Sequence, residues 1–288
     1  MNHYYKGVLL VVISAACFAL MPIFAVFAYR GNANVITILF LRFGLAAVLL
    51  FAYLAWKKRL VAVDRQVLFK LMIIGAILYT LQSSLYFLSV KYINVSLQAM
   101  LFYTYPIFVA ILATVLFKES FTKILLLSIC VSLAGMVLVL GTSFENINLL
   151  GAFLALGAAL VYSLYINMAN RLVRNTPSDL ATAYICLFSS LAFCLLGSFT
   201  HNLNFDFSPS AWWPIVGIAF FSTTVSIVTL FRGMEILGST RAAIISIIEP
   251  VITITISSLL FHDKLGGLQW IGGVLVLTGA YLVVKFRS

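Results

Sequence analysis

The chain has 288 residues, of which 63% are hydrophobic and 9% charged, with a formal net charge of +10. Globular chains carry roughly 25% charged residues, so a soluble fold of this length could not hide so much apolar surface. The basic excess lies on separate short segments rather than one face, which excludes a nucleic-acid groove.

Ten apolar stretches are predicted as membrane-spanning helices: 7–29, 35–56, 71–90, 96–117, 124–141, 149–170, 180–200, 211–231, 242–261 and 265–284. Each approaches the ~20 residues needed to cross a hydrocarbon core. The alternation expected of a membrane β-barrel is absent. The first stretch is long for a signal-peptide core and has a counterpart at 151–173, so it is expected to be structural.

In chain order, the first stretch contains Pro22 and no acid, and the second contains Arg42. The third places Tyr79, Gln82, Ser83 and Tyr86 at i, i+3, i+4 and i+7, one helical face. The fourth repeats this with Gln98, Phe102 and Tyr105, followed by Pro106. The fifth offers only the small residues Ser128, Ser132 and Gly135. The sixth has two faces, Tyr162 with Tyr165 and Ser163 with Asn167 and Asn170. The seventh holds Cys186 and Cys194, about 12 Å apart along the helix and too far to bridge. These two, with Cys17 and Cys130, read as packing residues without metal-site spacing.

The eighth stretch carries Ser222, Thr223, Thr224 and Ser226. The ninth places Ser246, Glu249 and Thr253 on one face, with Pro250 following the acid. The tenth is glycine-rich, with Gly272, Gly273 and Gly279. Small residues at such spacing let helices approach closely, so the fifth and tenth are expected to be packing helices.

A shift of 144 residues superimposes the punctuation. Gly7 falls on Gly151, Arg30 on Arg174, Phe87 on Phe231, Pro106 on Pro250, Phe117 on Phe261 and Gly135 on Gly279. Two five-helix units are therefore expected, 1–144 and 145–288. Five is odd, so the second unit is inverted in the membrane. Charge agrees with a cytoplasmic N-terminus. On that assignment the inner segments hold Lys6, Lys57, Lys58, Arg59, Arg65, Lys70, Lys118, Lys123, Arg171, Arg174, Arg232, Arg241, Lys285 and Arg287. The outer ones hold only Arg30, Lys91 and Lys264. The positive-inside rule thus puts both termini in the cytoplasm.

Arg42 and Glu249 are the charges within the ten stretches. A charge at mid-bilayer costs at least about 2.5–3.5 kcal/mol, so such residues pair or line a wet cavity. Their estimated depths allow an approach to each other. Pro250 removes a backbone donor and opens the helix beside Glu249, giving a candidate proton or cation site. Pro22 and Pro106 are further predicted kinks. The polar faces together predict an aromatic-walled cavity, since amides and phenols are costly against lipid. Interhelical hydrogen bonding is the competing role for each residue taken singly.

This layout resembles the drug/metabolite transporter superfamily, of the EamA type. Each unit shows a proline in its fourth helix, an apolar run, an acid and a glycine-bearing fifth helix. The residues are Pro106, Phe117, Lys118, Glu119 and Gly135, then Pro250, Phe261, His262, Asp263 and Gly279. Asp263 stands where that family usually has Glu, and Leu41-Arg42-Phe43 is similar to its arginine in the second helix. The resemblance implies a cavity between helices one to four and six to nine, alternating access, and export of amino acids, metabolites or drugs by many members. The coupling glutamate in the first helix of the small four-helix relatives has no counterpart here.

The expected function is a secondary transporter of the cytoplasmic membrane, exporting amino acids or related compounds and coupled to protons or facilitative. The substrate-binding set is Arg42, Tyr79, Gln82, Ser83, Tyr86, Gln98, Phe102, Tyr105, Tyr162, Asn167, Thr223, Ser246 and Glu249, with Glu249 the coupling-ion candidate. Choline-like or multidrug cations are the alternative substrates, through cation–π contacts with Tyr79, Tyr86, Tyr103 or Tyr105. A non-transporting scaffold or receptor is the alternative class. No metal site, cofactor, nucleotide or hydrolase motif is present in the sequence, so neither an enzyme nor ATP-driven transport is expected. His3, His201 and His262 lie outside the stretches. One chain would suffice for a pathway, and a homodimer is equally compatible.

Overall fold

In the computed structural model, residues 3–89, 92–93, 95–118, 122–141, 148–261 and 266–286 are described. Among them are ten helical spans long and apolar enough to cross a membrane. They are α1 (His3–Arg30), α2 (Val35–Trp56), α3 (Arg65–Ser89), α4 (Leu97–Leu116), α5 (Lys123–Leu140), α6 (Leu149–Val173), α7 (Ser178–Phe199), α8 (Pro209–Leu237), α9 (Ser239–Leu260) and α10 (Gly267–Lys285). Large apolar side chains such as Phe153 (70%) and Leu259 (74%) stand exposed on these spans, as helices facing lipid require. Glu119, His262 and Asp263, and the boundary between residues 144 and 145, lie outside the described residues.

Local chemistry starts and stops the spans. Asn34 caps α2 by accepting from Thr37 N at 2.8 Å. Asn148 caps α6 through Gly151 N at 3.2 Å, and Asp64 opens α3 by accepting from Gln66 N. Such caps satisfy orphan amide donors. Gly238 alone separates α8 from α9 at φ 82°, a conformation glycine adopts without steric cost.

Three spans are broken near the prolines singled out above. α1 divides at Leu20, before Pro22. α4 divides at Tyr103–Thr104, before Pro106, and α9 at Ile247–Ile248, before Pro250. Two spans contain wide π-helical turns, at Ile73–Tyr79 in α3 and Ile218–Val225 in α8. These segments and the α4 and α9 breaks occupy matching places in the two halves.

The tertiary contacts follow the same relation. α2 packs along α7, and α5 along α10. α1 packs on α8 as α6 packs on α3. Gly7 abuts Ile236 and Leu237, while Gly151 abuts Tyr92 and Ile93, the residues 144 positions away. A Cβ on Gly135 would lie 2.6 Å from Gly272 O, and one on Gly279 2.8 Å from Ser128 O. The fifth and tenth spans are thus packing helices, joined repeat to repeat.

Candidate functional site

The inner faces of α2, α3, α4, α6 and α9 meet around an aromatic array. Tyr86 meets Phe102 edge-on at 5.0 Å, and Phe102 reaches Tyr105 at 5.7 Å and Tyr162 at 5.4 Å. Tyr105 meets Tyr162 at 4.9 Å, Tyr162 stacks on Tyr165 at 5.6 Å, and Tyr165 meets Tyr79 at 4.9 Å. Tyr79 meets Phe43 at 5.0 Å, which stacks in turn on Phe193 of α7 at 5.9 Å. Edge-to-face and offset geometries at these separations are favourable. Helices of both halves contribute rings, so the row crosses from one repeat to the other.

Arg42 stands at one end of this row, 4% exposed. One terminal nitrogen donates to the Tyr79 hydroxyl at 3.3 Å and the other contacts Met21 Sδ at 2.9 Å. Its guanidinium carbon lies 4.5 Å from the Phe43 ring centroid, and its Nε has no partner among the described residues. A thioether and a phenol are weak replacements for a carboxylate. Glu249 stands at the other end, partly exposed, in the first turn after the α9 break. The Tyr103 hydroxyl lies beside its carboxylate. Arg42 and Glu249 do not pair: their shared surroundings are rings. The array therefore presents a cation and an anion, each without an ionic partner among the described residues, separated by stacked phenols.

The remaining candidates divide by how their polar atoms are used. Gln98 is fully buried with its amide against the Tyr86 hydroxyl, and neither amide atom makes a well-aligned hydrogen bond among the described residues. Gln82 and Ser83 are covered and bond each other at 3.3 Å. Thr223 donates to Ile218 O within its own π turn, and Ser246 to Ala242 O within α9. Asn167 donates to Val109 O at 3.2 Å and Ser163 O at 3.1 Å, and its carbonyl accepts from Ser239 at 2.8 Å. In this conformation Asn167 thus ties α6 to α4 and α9.

Three residues outside the predicted set belong to the arrangement. Tyr165 is fully buried at the middle of the ring row, and its hydroxyl lacks a partner among the described residues. Met21 supplies the sulfur at Arg42. Asp179, at the start of α7, is buried and lies 3.3 Å from Arg232 on α8 and 3.8 Å from Arg59 after α2. It thereby links both repeats at the end of the bundle where the basic segments cluster. Its signal was available: it is the lone acid between Glu145 and Asp206.

An all-helical bundle of two related five-helix units, with a polar aromatic interior and unpaired charges, defines a polytopic membrane transporter. The chain belongs to the EamA-like transporter family, whose model matches it twice, over residues 5–141 and 149–285. It is thus a multi-pass membrane protein of the drug/metabolite transporter type. It is 25% identical over 287 residues to the uncharacterized transporter YcbK of Bacillus subtilis, covering 95% of this chain and 92% of that one. An uncharacterized transporter of Archaeoglobus fulgidus is 22% identical over 250 residues, covering 84% and 85%. A solved crystal structure matches 100% of this chain and 99% of its own with a TM-score of 0.86 and 16% identity, a likeness of fold.

Proposed function

We propose that the protein is a secondary transporter that exports a small zwitterionic metabolite, an amino acid or related compound, across the cytoplasmic membrane by alternating access. One observation carries this reading: Arg42 and Glu249 stand unpaired at opposite ends of one row of aromatic rings. A zwitterion's carboxylate finds the guanidinium, its amine finds the carboxylate, and its side group lies on the rings. The basic segments clustered at one end support an orientation with that end in the cytoplasm. Asp179, tying Arg59 to Arg232 at this end, suits an inner closure that must part when the site faces inward. Glu249 is the group through which a proton gradient would drive accumulation.

Purified protein in proteoliposomes, given labelled amino acids and amines with and without a pH gradient, tests this. Wild type should accumulate a zwitterion against its gradient, while Glu249→Gln keeps only downhill exchange. Equal, gradient-independent equilibration by both removes the coupling role. Absence of zwitterion flux removes the substrate class. Choline-like cations are a second reading, favoured by Tyr86, Tyr103 and Tyr105 around Glu249. Their transport should depend on Glu249 and be indifferent to Arg42.

A further inference from the structure

Two crossings of broken spans are related by the 144-residue shift, and their chemistry is opposite. At the crossing of α4 and α6, Ser163 donates to Tyr105 O at 3.1 Å and Asn167 to Val109 O at 3.2 Å. Side-chain donors on α6 thus reach carbonyls in the first turns of α4 past its break. At the crossing of α9 and α1, the equivalent positions are Glu249, Thr253, Ala19 and Ile23. Ala19 and Ile23 have no donor to give. The polarity is reversed there, with Thr253 donating to Ala19 O at 3.2 Å.

Both helices at this second crossing also carry proline. Pro22 has no N–H to offer Phe18 O, and Pro250 none to offer Ser246 O. The crossing therefore brings together Ala19 O, the Thr253 hydroxyl oxygen and, one turn earlier on the same face of α9, the Glu249 carboxylate, beside two breaks whose prolines leave Phe18 O and Ser246 O without their intrahelical donors. Glu249 is partly exposed and makes no ion pair among the described residues. Phenols interact with it from neighbouring helices: Tyr103, which hydrogen-bonds it, and Tyr105 on α4, Tyr79 and Tyr86 on α3 and Tyr162 on α6.

We infer that the crossing of α1 and α9 is a binding site for a compact monovalent cation, held by Glu249, Thr253 and backbone carbonyls. Oxygen acceptors with one negative charge, walled by phenol rings, suit a partly dehydrated Na⁺ or a primary ammonium group. The α4–α6 crossing, filled by its own donors, has no such role. The inference rests on the reading of Glu249 as an unpaired acid of the transport site.

Thermal unfolding of the purified full chain in detergent tests it, without requiring transport. NaCl, KCl, methylammonium chloride and choline chloride are compared at equal ionic strength. A ligand that binds the folded state raises the melting temperature with the logarithm of its concentration. Na⁺ or methylammonium should stabilise wild type over choline, and Glu249→Gln should abolish the response. Thr253→Val should shift the midpoint to about tenfold higher concentration, the loss of one good ligand. A response to Na⁺ alone assigns the site to a coupling ion, and a response to methylammonium alone assigns it to the substrate's amine. Identical curves in all four salts, or a response that Glu249→Gln retains, overturns the inference. Cation stabilisation in a protein that moves no solute would keep the site and remove the transport reading.

Discussion

α1 and α6 occupy equivalent places in the duplication, yet α1 breaks at Leu20 while α6 runs unbroken for 25 residues. α6 carries Ser163, Asn167 and Asn170, where α1 carries Ala19, Ile23 and Val26. By contrast, α5 and α10 keep both the break-free form and the mutual packing the shift demands. The difference separates two kinds of constraint. Close packing of backbones is symmetric and tolerates little change. Polar chemistry in the interior is asymmetric, with one cation and one anion rather than two copies of each, as the proposed zwitterion would require.

The largest effect should come from breaking the symmetric part. A Cβ on Gly135 would approach Gly272 O to 2.6 Å and Val276 N to 2.7 Å, and backbone atoms in a packed pair cannot step aside. Gly135→Leu should cost about 3 kcal/mol or more. It would be read as a collapse of the size-exclusion peak or a fall in melting temperature. A normal melting curve would show that the α5–α10 pairing is not a fixed part of the fold.

The asymmetric part should behave oppositely. Arg42 is buried against Met21 and Tyr79 with no carboxylate, so Arg42→Met replaces a poorly compensated charge by an apolar chain. Removing a buried charge that no carboxylate compensates should leave stability unchanged or raise it. Transport of a zwitterion should fall at least tenfold, the loss of one charge-assisted bond. A variant that is destabilised while transporting normally would make Arg42 structural.

Much of the scaffold was legible because its causes are local. Span length, the three prolines and the glycines of α5 and α10 each act within a few residues of themselves. The π turns were not legible, because their released carbonyls are satisfied from elsewhere: Gly75 O accepts from Ser189 on α7 as well as Thr80. Helical spacing identified Tyr79, Phe102, Tyr105 and Tyr162 one helix at a time. It could not reveal that their rings form one row, nor that Tyr165 stands in its centre. It also could not separate Gln98, whose amide meets only the Tyr86 hydroxyl, from Asn167, whose amide holds α6 to α4. Asp179 was overlooked because it lies one residue outside the predicted seventh span.

Asp179 sharpens the comparison between the two ends of the bundle. Its position in the first repeat corresponds to Val35, so the acid of this ionic link has no counterpart at the equivalent place in the first repeat. Arg232 and Arg59 remain substantially exposed, at 45% and 62% of their side chains, and solvent screening limits what the link contributes. Asp179→Asn should lower stability by about 1 kcal/mol, and more weakly at high salt. It should also shift the balance of conformations toward the inward-facing state. That shift is measurable as greater alkylation, by a reagent supplied from the cytoplasmic side, of cysteines introduced along the inner half of the pathway. Unchanged labelling would confine Asp179 to holding the α7 terminus.

The smallest effect tests the crossing that is already satisfied. Ser163 shares its single hydroxyl proton between Ala159 O on its own helix at 2.7 Å and Tyr105 O at 3.1 Å, so its hydroxyl is committed to protein rather than solute. Hydrogen bonds between membrane helices average about 0.6 kcal/mol, because the separated helices also find partners. Ser163→Ala should therefore lower the melting temperature only slightly and leave transport within about twofold of wild type. Glu249→Gln, the equivalent-crossing variant, should do the reverse. If Ser163→Ala instead abolished transport at full stability, the donors on α6 would belong to the solute's path. The contrast between a structural and a functional crossing would then fail.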